Sequence, residues 1–455
     1  MEASASPRDG REKAMGAEEL FFSTTDRRGV IGQCNSVFVR ISGHARDELA
    51  GSPHNIVRHP DMPGGAFRLI WDGLAAGNAV GAYVRNRAKD GAHYWVFAVM
   101  CPVRDGYLSV RMAPRGPGFD MIKQVYADAV RAERVAVRDG GAGRRETARA
   151  GVTAIEATLR RHGFASFREF MLDALPAEVS ARGRLVAGAF ARPGAHGAIG
   201  DVLACAGALD GLLAELVDGL AAYQDLCDRL AATSSTVLDI ARRLADSVAA
   251  AERASERVAD SAPVLANVAR VMAEPMGEAI GVLTRLRDGL GRLRTDVAEL
   301  RFRISLTKVC DDMVAAFAAE VIDGAAPPDS LRAVPLLCDA AESGFVEMSA
   351  QVRRVNEDLR ESADLVAEAG ELLETFRRFL GQWRNLVVRS RTSTSLGAEL
   401  APIDAEISAS WDWMDLLRSL GREYRSTLVP FDAGLLQSHL DKMRTAAAAA
   451  ERASL

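Results

Sequence analysis

The sequence GAYVRNRAKDGAHYWVFAVMCPV, residues 81–103, contains two apolar stretches separated by the turn signal KDG at 89–91. Apolar and β-branched residues on both sides of a short polar turn are typical of a β-hairpin. The same pattern occurs upstream in FFSTTDRRGVIGQCN (21–35), with DRRG as the turn, and downstream in GYLSVRM (106–112). Short helical patterns, NSVFVRIS and GGAFRLIWDGLAAG, lie between these strands. We therefore predict a small α+β domain with an antiparallel sheet over residues 20–116, preceded by a flexible lead at 1–19.

Three motifs in this segment occur in a fixed order. They are STTDRRGVIGQCNSVFVRISG (23–43), PHNIVRHPDMPGGAF (53–67) and NRAKDGAHYWV (86–96). In order and spacing, residues 20–114 resemble the sensor PAS domain of bacterial aerotaxis receptors, which bind FAD and read its redox state. The resemblance implies a five-stranded antiparallel sheet cupped by short helices, with the ligand in the pocket between them.

The resemblance also implies the residues that bind FAD. Arg58, His59 and Asp61 match positions that the family needs for binding, and Asn35, Trp71 and Asn86 match further pocket positions. The residue types suit a flavin, because asparagine amides offer both a donor and an acceptor to the ring edge. The cationic side chains of Arg58 and His59 suit the diphosphate.

Each of these residues also has a simpler structural interpretation. Asn35 could cap the helix that begins at SVFVRIS, and Trp71 could be a core residue. Arg58 and Asp61 could form a pair that stabilises their loop, and His59 could be a polar residue with a local partner.

Two departures from the family pattern favour an alternative function. Val80 stands where the family has a tryptophan, which removes a large aromatic wall near the pocket. The final hairpin, CPVRDGYLSV at 101–110, is also shorter than in the family. The alternative to a flavin sensor is a cofactor-free protein in which the PAS domain dimerises and the helices form an interaction scaffold.

The sequence after Pro117 lacks strand patterns. Residues 117–200 are predicted to be a helical connector, and residues 201–455 a long, coiled-coil-like helical hairpin or bundle. Apolar residues alternate at spacings of three and four in two runs, which is the seam of packed helices. The first run is Leu283, Leu286, Leu290, Leu293, Val297, Leu300 and Ile304. The second run is Met348, Val352, Val355, Leu359, Ser362, Val366, Ala369, Leu373, Phe376, Leu380, Trp383 and Val387.

The segment GAAPPDS (324–330) lies between the two runs, and its prolines interrupt the helix. We predict a long antiparallel hairpin that turns within 323–340. Dimerisation of two such hairpins makes a four-helix bundle, and an intramolecular bundle fits the pattern equally well. A homodimer is therefore one expected assembly.

Composition excludes several classes of function. The 455-residue chain has a formal net charge of −5 and no basic block, so a nucleic acid partner is not expected. Its six cysteines are scattered, which favours a reducing cytoplasm over a disulfide or zinc framework. No signal peptide or transmembrane span is expected.

No enzyme motif stands out, so the chain is predicted to be a cytoplasmic signal-transduction protein and not an enzyme. A chemotaxis or other signalling protein is a possible partner. The tip motif of chemoreceptor hairpins is absent as such: its nearest counterpart is LRFRISLTKVCDDMVAAFAAEV at 300–321.

Overall fold

The computed structural model describes residues 10–257, 263–389, 415, 417–419, 421–423 and 431–453. In this part of the chain, five strands form one antiparallel sheet in the order β2-β1-β5-β4-β3. The strands are β1 (Phe21–Asp26), β2 (Ile31–Cys34), β3 (Val80–Arg87), β4 (His93–Val103) and β5 (Gly106–Met112). Gly29 and Gly91 lie at the two predicted turns with φ of 79° and 88°, a conformation that glycine adopts without strain. The predicted fold class is confirmed.

Short helices pack on one face of the sheet. They are α1 (Ser36–Ser42), α2 (Arg46–Leu49), a 3-10 turn (His54–Val57) and α3 (Gly64–Ala75). The rings of Phe38 in α1 and Phe21 in β1 are stacked with centroids 4.1 Å apart. Successive side chains of a strand point to opposite faces, so Phe22 lies on the other face, where its ring contacts Phe317.

Residues of the predicted connector dock on the sheet. This segment contains α4 (Gly118–Gly140), α5 (Arg144–Arg161) and α6 (Phe167–Val186). Tyr83 of β3 stacks with Phe119 of α4 at 5.8 Å and with Phe170 of α6 at 6.2 Å between centroids. The hydroxyl of Tyr126 donates to the carbonyl of Tyr83 at 3.1 Å. Aromatic contacts therefore fix the connector to the sheet.

A buried carboxyl group completes this junction. Glu178 of α6 is fully buried and accepts a hydrogen bond from the Tyr83 hydroxyl at 2.6 Å. It also accepts from the backbone N–H of Arg115 at 2.6 Å. Burial raises the pKa of Glu178, and its hydrogen bonds act in the opposite direction. One side chain thus joins β3, the segment after β5, and α6.

Residues 10–19, which belong to the predicted flexible lead, lie against the edge of the sheet. The N–H of Lys13 donates to the carbonyl of His93 at 2.8 Å, and the N–H of His93 donates to the carbonyl of Arg11 at 3.0 Å. Met15 is buried. Backbone hydrogen bonds therefore attach this part of the lead to the sheet, whereas its polar composition predicted a flexible segment.

The rest of the described chain is mostly helical. It contains α7 (Gly197–Arg257), α8 (Pro263–Ile322), α9 (Val334–Arg389) and α10 (Ala433–Ala453). The molecule divides into a first unit, Met1–Val217 with Glu299–Ser349 and Asp432–Leu455, and a second unit, Asp218–Ala298 with Ala350–Phe431. The chain turns between Ile322 and Val334, where the prolines of GAAPPDS were predicted to interrupt the helix.

Both predicted seams are buried along their whole length, including the weaker positions Ser362 and Ala369. Within the second unit, α8 and α9 run antiparallel. Arg285 pairs with Glu368 at 3.3 Å, and the Gln351 side chain donates to the carbonyl of Asp296 at 3.0 Å. The periodicity therefore identified the packed faces of these helices correctly.

One helical segment among the described residues, Gly197–Asp246, is long and apolar enough to cross a membrane, by length and composition alone. Its most apolar stretch has a mean hydropathy of 1.5, and 22% of that stretch is buried. Core helices of soluble proteins pass the same test. The expected absence of a membrane span therefore stays a prediction.

The Tyr83–Glu178 contact yields a stability prediction. Tyr83→Phe removes one donor from a buried carboxyl group and is expected to destabilise the fold by about 1–3 kcal/mol. A lower midpoint of thermal unfolding, followed by far-UV circular dichroism, measures this. Tyr126→Phe serves as the comparison and should cost less, because it strips a hydrogen bond from a backbone carbonyl only. Equal midpoints for Tyr83→Phe and the wild type would contradict the role of this contact.

Candidate functional site

A cavity of about 390 Å³ lies between the inner face of the sheet and the short helices. This volume falls in the lower part of the range for small-molecule sites. Helix α3 contributes apolar side chains, and alternate residues of β3 and β5 contribute polar ones. The lining includes Phe67, Ile70, Trp71 and Leu74 from α3, Val84 and Asn86 from β3, Tyr107, Ser109 and Arg111 from β5, and His54, Asn55 and Arg58 from the intervening loop.

Two buried polar side chains in the lining have atoms without a hydrogen-bond partner in the described part of the chain. They are the Nη1 atom of Arg111 and the Nδ2 atom of Asn86, both donors. The Nε atom of Arg111 donates to the Ser109 hydroxyl at 3.2 Å, and its guanidinium lies 4.8 Å from the centre of the Phe21 ring. Burial lowers the pKa of Arg111 to about 10. Because unpaired buried donors are costly, the cavity suits a ligand that presents hydrogen-bond acceptors.

His54 lies beside this guanidinium. Its ring stacks on Phe38 with centroids 5.6 Å apart, and its Nε2 atom is 3.4 Å from the Ser23 hydroxyl. Burial lowers the pKa of His54 well below its usual value, and the positive charge of Arg111 adds to the effect. The imidazole is therefore neutral at physiological pH, so Arg111 supplies the positive charge at this end of the cavity.

Arg58 enters the cavity from the loop before α3. Its guanidinium lies 4.3 Å from the centre of the Phe67 ring, and its Nη2 atom donates to the carbonyl of Met62 at 3.0 Å. Burial lowers the pKa of Arg58, and the carboxylate of Glu133 on α4 opposes the shift. Arg58 thus brings a second positive charge, held in place by its own loop.

The structure brings three of the six predicted site residues to the cavity. Arg58, Trp71 and Asn86 line it, and Asn35, His59 and Asp61 are not among the lining residues. Trp71 is 40% exposed, and its ring meets Tyr107 at 5.5 Å edge to face. The core interpretation of Trp71 is therefore wrong, because the ring is partly open to solvent.

Asn35 takes the structural role that was weighed against the binding role. Its Oδ1 atom accepts from the N–H of Phe38 at 3.1 Å, which caps α1, and from the N–H of Phe22 at 3.0 Å. Its Nδ2 atom donates to the carbonyl of Leu20 at 2.8 Å. The amide thus joins β1 to α1.

His59 and Asp61 form a polar cluster outside the cavity. The Nδ1 atom of His59 accepts from the N–H of Asp61 at 3.0 Å, and burial together with the charge of Arg85 lowers the pKa of His59 to about 4. Asp61 pairs with Arg134 of α4 at 2.8 Å and lies 3.8 Å from Arg85. The expected pair between Arg58 and Asp61 is thus replaced by a contact between the loop and α4.

The sequence motifs did not point to three lining residues, His54, Ser109 and Arg111. A signal for the last two was present, because both are polar residues two positions apart in the apolar strand GYLSVRM. Side chains at that spacing share one face of a strand. Placing that face toward a cavity required the pairing of β5 with its neighbours, which the strand alone does not reveal.

Comparisons with known proteins agree with this architecture. Residues 32–110 match a family model described as PAS fold. Together with the sheet topology, this match shows that this segment is a PAS domain. Over 99 residues the chain is 46% identical to the aerotaxis receptor of Escherichia coli (strain K12). The match takes in 22% of this chain and 20% of the receptor, so the chain spans about a fifth of that relative's length.

Solved structures of LOV proteins also match. A structure of an RsLOV d2 variant is 20% identical, with a TM-score of 0.20. The crystal structure of the Rhodobacter sphaeroides LOV protein is 17% identical, with a TM-score of 0.21. Each match covers 32% of this chain and 89% of the other chain.

The lowered pKa of His54 yields a pH prediction. The unfolded chain binds a proton at His54 near pH 6.5 and the folded chain does not, so acid favours unfolding. The stability that the neutral ring contributes is present above about pH 6.5 and declines as the pH falls below it, by at most about 1.4 kcal/mol per pH unit. In His54→Gln, urea unfolding at pH 7.5 and pH 5.5 should therefore show a smaller loss than in the wild type. His162→Gln, at an exposed site, is the control and should keep the wild-type loss. An unchanged loss in His54→Gln would refute the assignment.

Proposed function

We propose that this protein is a cytoplasmic redox or energy sensor that holds FAD in the PAS cavity and relays its state through the attached helices. The observation that carries the proposal is the pair of unpartnered buried donors, Arg111 and Asn86, in a cavity with apolar walls. The 46% identity to an aerotaxis receptor over this domain supports the same class of function.

The residues of the cavity fit a flavin. Its ring system is flat, with nitrogen and oxygen atoms along one edge, and the unpartnered donors of Asn86 and Arg111 match such acceptors. Phe67, Ile70 and Leu74 supply apolar surface for the ring faces. Arg58 supplies a cation for an anionic group near the loop. When bound, the flavin supplies reversible electron transfer.

The protein's own charges respond to the electrical state of the cavity. Arg111 is buried; its guanidinium contacts the Ser109 hydroxyl and the Phe21 ring, and its charge also acts on His54. Added negative charge in the cavity draws this guanidinium more strongly than a neutral ligand does, because electrostatic interactions are strong away from water. Arg111 is thus the residue whose electrostatic interaction with the ligand changes most directly when the redox state changes.

A contact between α4 and α3 offers a route for the signal. The carboxylate of Glu133 accepts hydrogen bonds from the N–H groups of Gly64 and Gly65, at 3.0 and 2.8 Å. These groups begin α3, the helix that lines the cavity, and α3 has no side-chain cap of its own. Gly65 and Gly151 of α5 approach so closely that a Cβ on Gly65 would lie 2.4 Å from the N atom of Val152. A shift of α3 therefore displaces the α4–α5 pair.

The remaining expectations complete the proposal. Signalling through packed helices requires a partner, either a second copy of this chain or a chemotaxis or other signalling protein. The proposed role is that of a sensor and not an enzyme. Val80, the departure that favoured a scaffold, lines a different cavity of the first unit, with Gly81 and Cys101. Val80 does not line the proposed flavin cavity, so the absence of a tryptophan at this position does not change the walls of that cavity.

Flavin binding is tested by the absorption spectrum of the aerobically purified protein, from roughly 300 to 600 nm, with dithionite titration. Flavin bands that bleach on reduction are expected. Asn86→Ala removes a donor and should weaken retention roughly 5- to 150-fold, the equivalent of about 1–3 kcal/mol. Arg58→Ala should weaken it too, and Arg104→Ala, at an exposed turn, is the control. A wild-type protein that stays colourless after FAD is added would refute the proposal and favour the scaffold.

The relay is tested at Glu133. Glu133→Gln can accept at only one of the two N–H groups, so it should loosen the contact of α4 with α3 while every lining residue of the cavity is kept. In the wild type, reduction is expected to change amide hydrogen exchange in α4 and α5. In Glu133→Gln, exchange there should be faster and insensitive to reduction, with the flavin spectrum unchanged. Glu146→Gln, on the exposed start of α5, is the matched control. A wild-type response in Glu133→Gln would exclude this route.

A further inference from the structure

A second cavity of about 440 Å³ lies among the helices of the first unit. Its walls come from the end of α6 with the loop that follows, from the start of α7, and from residues 308–315 of α8. Small residues dominate the first two walls, so the backbone leaves open space there. Around Gly207, for example, no atom lies within 4 Å of the position that a Cβ would occupy.

Two carboxylates on the wall of this cavity form ion pairs with basic side chains. Lys308 forms an ion pair with Asp210 across α8 and α7. Asp312 pairs with Arg182 of α6, a guanidinium that is only 2% exposed. The η-nitrogens and the ε-nitrogen of a third cation, Arg192, bind Asp323 and nearby carbonyls. Each of these three cations therefore has a carboxylate partner on the protein, although the Nη2 atom of Arg182 makes no hydrogen bond within the described ranges.

Asp311 differs from Asp210 and Asp312 because it forms no ion pair in the described part of the chain. It is 4% exposed, it lines the same cavity, and its Oδ1 atom has no hydrogen-bond partner within the described ranges. Burial raises the pKa of Asp311 well above its usual value, and the charge of Asp312 adds to the effect. A buried carboxyl group with an unused oxygen is costly unless something else binds it.

From this arrangement we infer that the cavity binds a small organic ammonium ion, whose N–H groups donate to Asp311. The two neighbouring ion pairs are neutral overall. Burial favours the neutral form of Asp311, and a bound ammonium ion supplies the positive charge that stabilises its ionised form. An anionic ligand would meet Asp210, Asp311 and Asp312 together and is disfavoured. Among the described residues, no group of three or more His, Cys, Asp or Glu is arranged to hold a metal ion.

The apolar part of the wall indicates the shape of the ligand. Val186, Phe190, Leu203 and Ala315 face the same space and suit a hydrocarbon body. The Arg182 guanidinium lies 5.7 Å from the centre of the Phe190 ring. At this distance an aromatic ring attracts a cation. An arylalkyl or alkyl ammonium ion satisfies both the carboxyl group and these side chains. This site is separate from the PAS cavity and does not depend on flavin binding.

Calorimetric titration of the full-length protein with 2-phenylethylammonium chloride tests the inference. Saturable binding is expected, with 2-phenylethanol, which has the same body and no charge, at least about tenfold weaker. Asp311→Asn preserves the shape and removes the charge, so it should weaken ammonium binding by at least about tenfold. Asp288→Asn, at an exposed position of α8, should bind like the wild type. Failure of the ammonium ion to bind, or equal binding by Asp311→Asn, would overturn the inference.

A second pair of variants is independent of the buried carboxyl group. Gly207→Leu fills open space in the cavity wall and should abolish binding. Gly211→Leu is its matched control, because it lies one turn further along α7, outside the lining, and also has open space at its Cβ position. Circular dichroism confirms that both variants fold. Retained binding in Gly207→Leu would place the ammonium ion elsewhere and overturn the assignment.

Discussion

The two-residue period of the strands is the constraint on which the PAS domain depends. Each strand places one set of side chains toward the short helices and the other toward the long ones. Phe21 stacks on Phe38 on one side, and its neighbour Phe22 meets Phe317 on the other. Both faces are covered by other elements of the chain. The face toward the short helices encloses the cavity to which Ser109 and Arg111 contribute.

This constraint explains which parts of the structure could be predicted from the sequence. The strands and their turns are local, so apolar stretches around KDG and DRRG were sufficient to find them. The buried seams of α8 and α9 repeat over many turns, which makes their pattern reliable. The edge contact of residues 10–19 was missed, because it uses backbone groups that side-chain composition does not report.

The site was only half predictable. Arg58, Trp71 and Asn86 were found by resemblance and line the cavity, whereas the Asn35 side chain binds backbone atoms of β1 and α1. A sequence motif shows which residues occur at which spacing. It does not distinguish a side chain that lines the cavity from one that binds the backbone of the surrounding elements. His54 was missed because its importance comes from Arg111, which is distant in sequence and adjacent in the fold.

The contact between Phe22 and Phe317 has a consequence for biosynthesis. The two rings are separated by 295 positions, from the difference between their residue numbers. At about 5–20 residues per second, the ribosome adds Phe317 roughly 15–60 s after Phe22. During that interval the outer face of the nascent sheet lacks this part of its cover, and its aromatic surface is available to chaperones or to neighbouring chains. The PAS domain therefore acquires this part of its surroundings only after α8 has been synthesised.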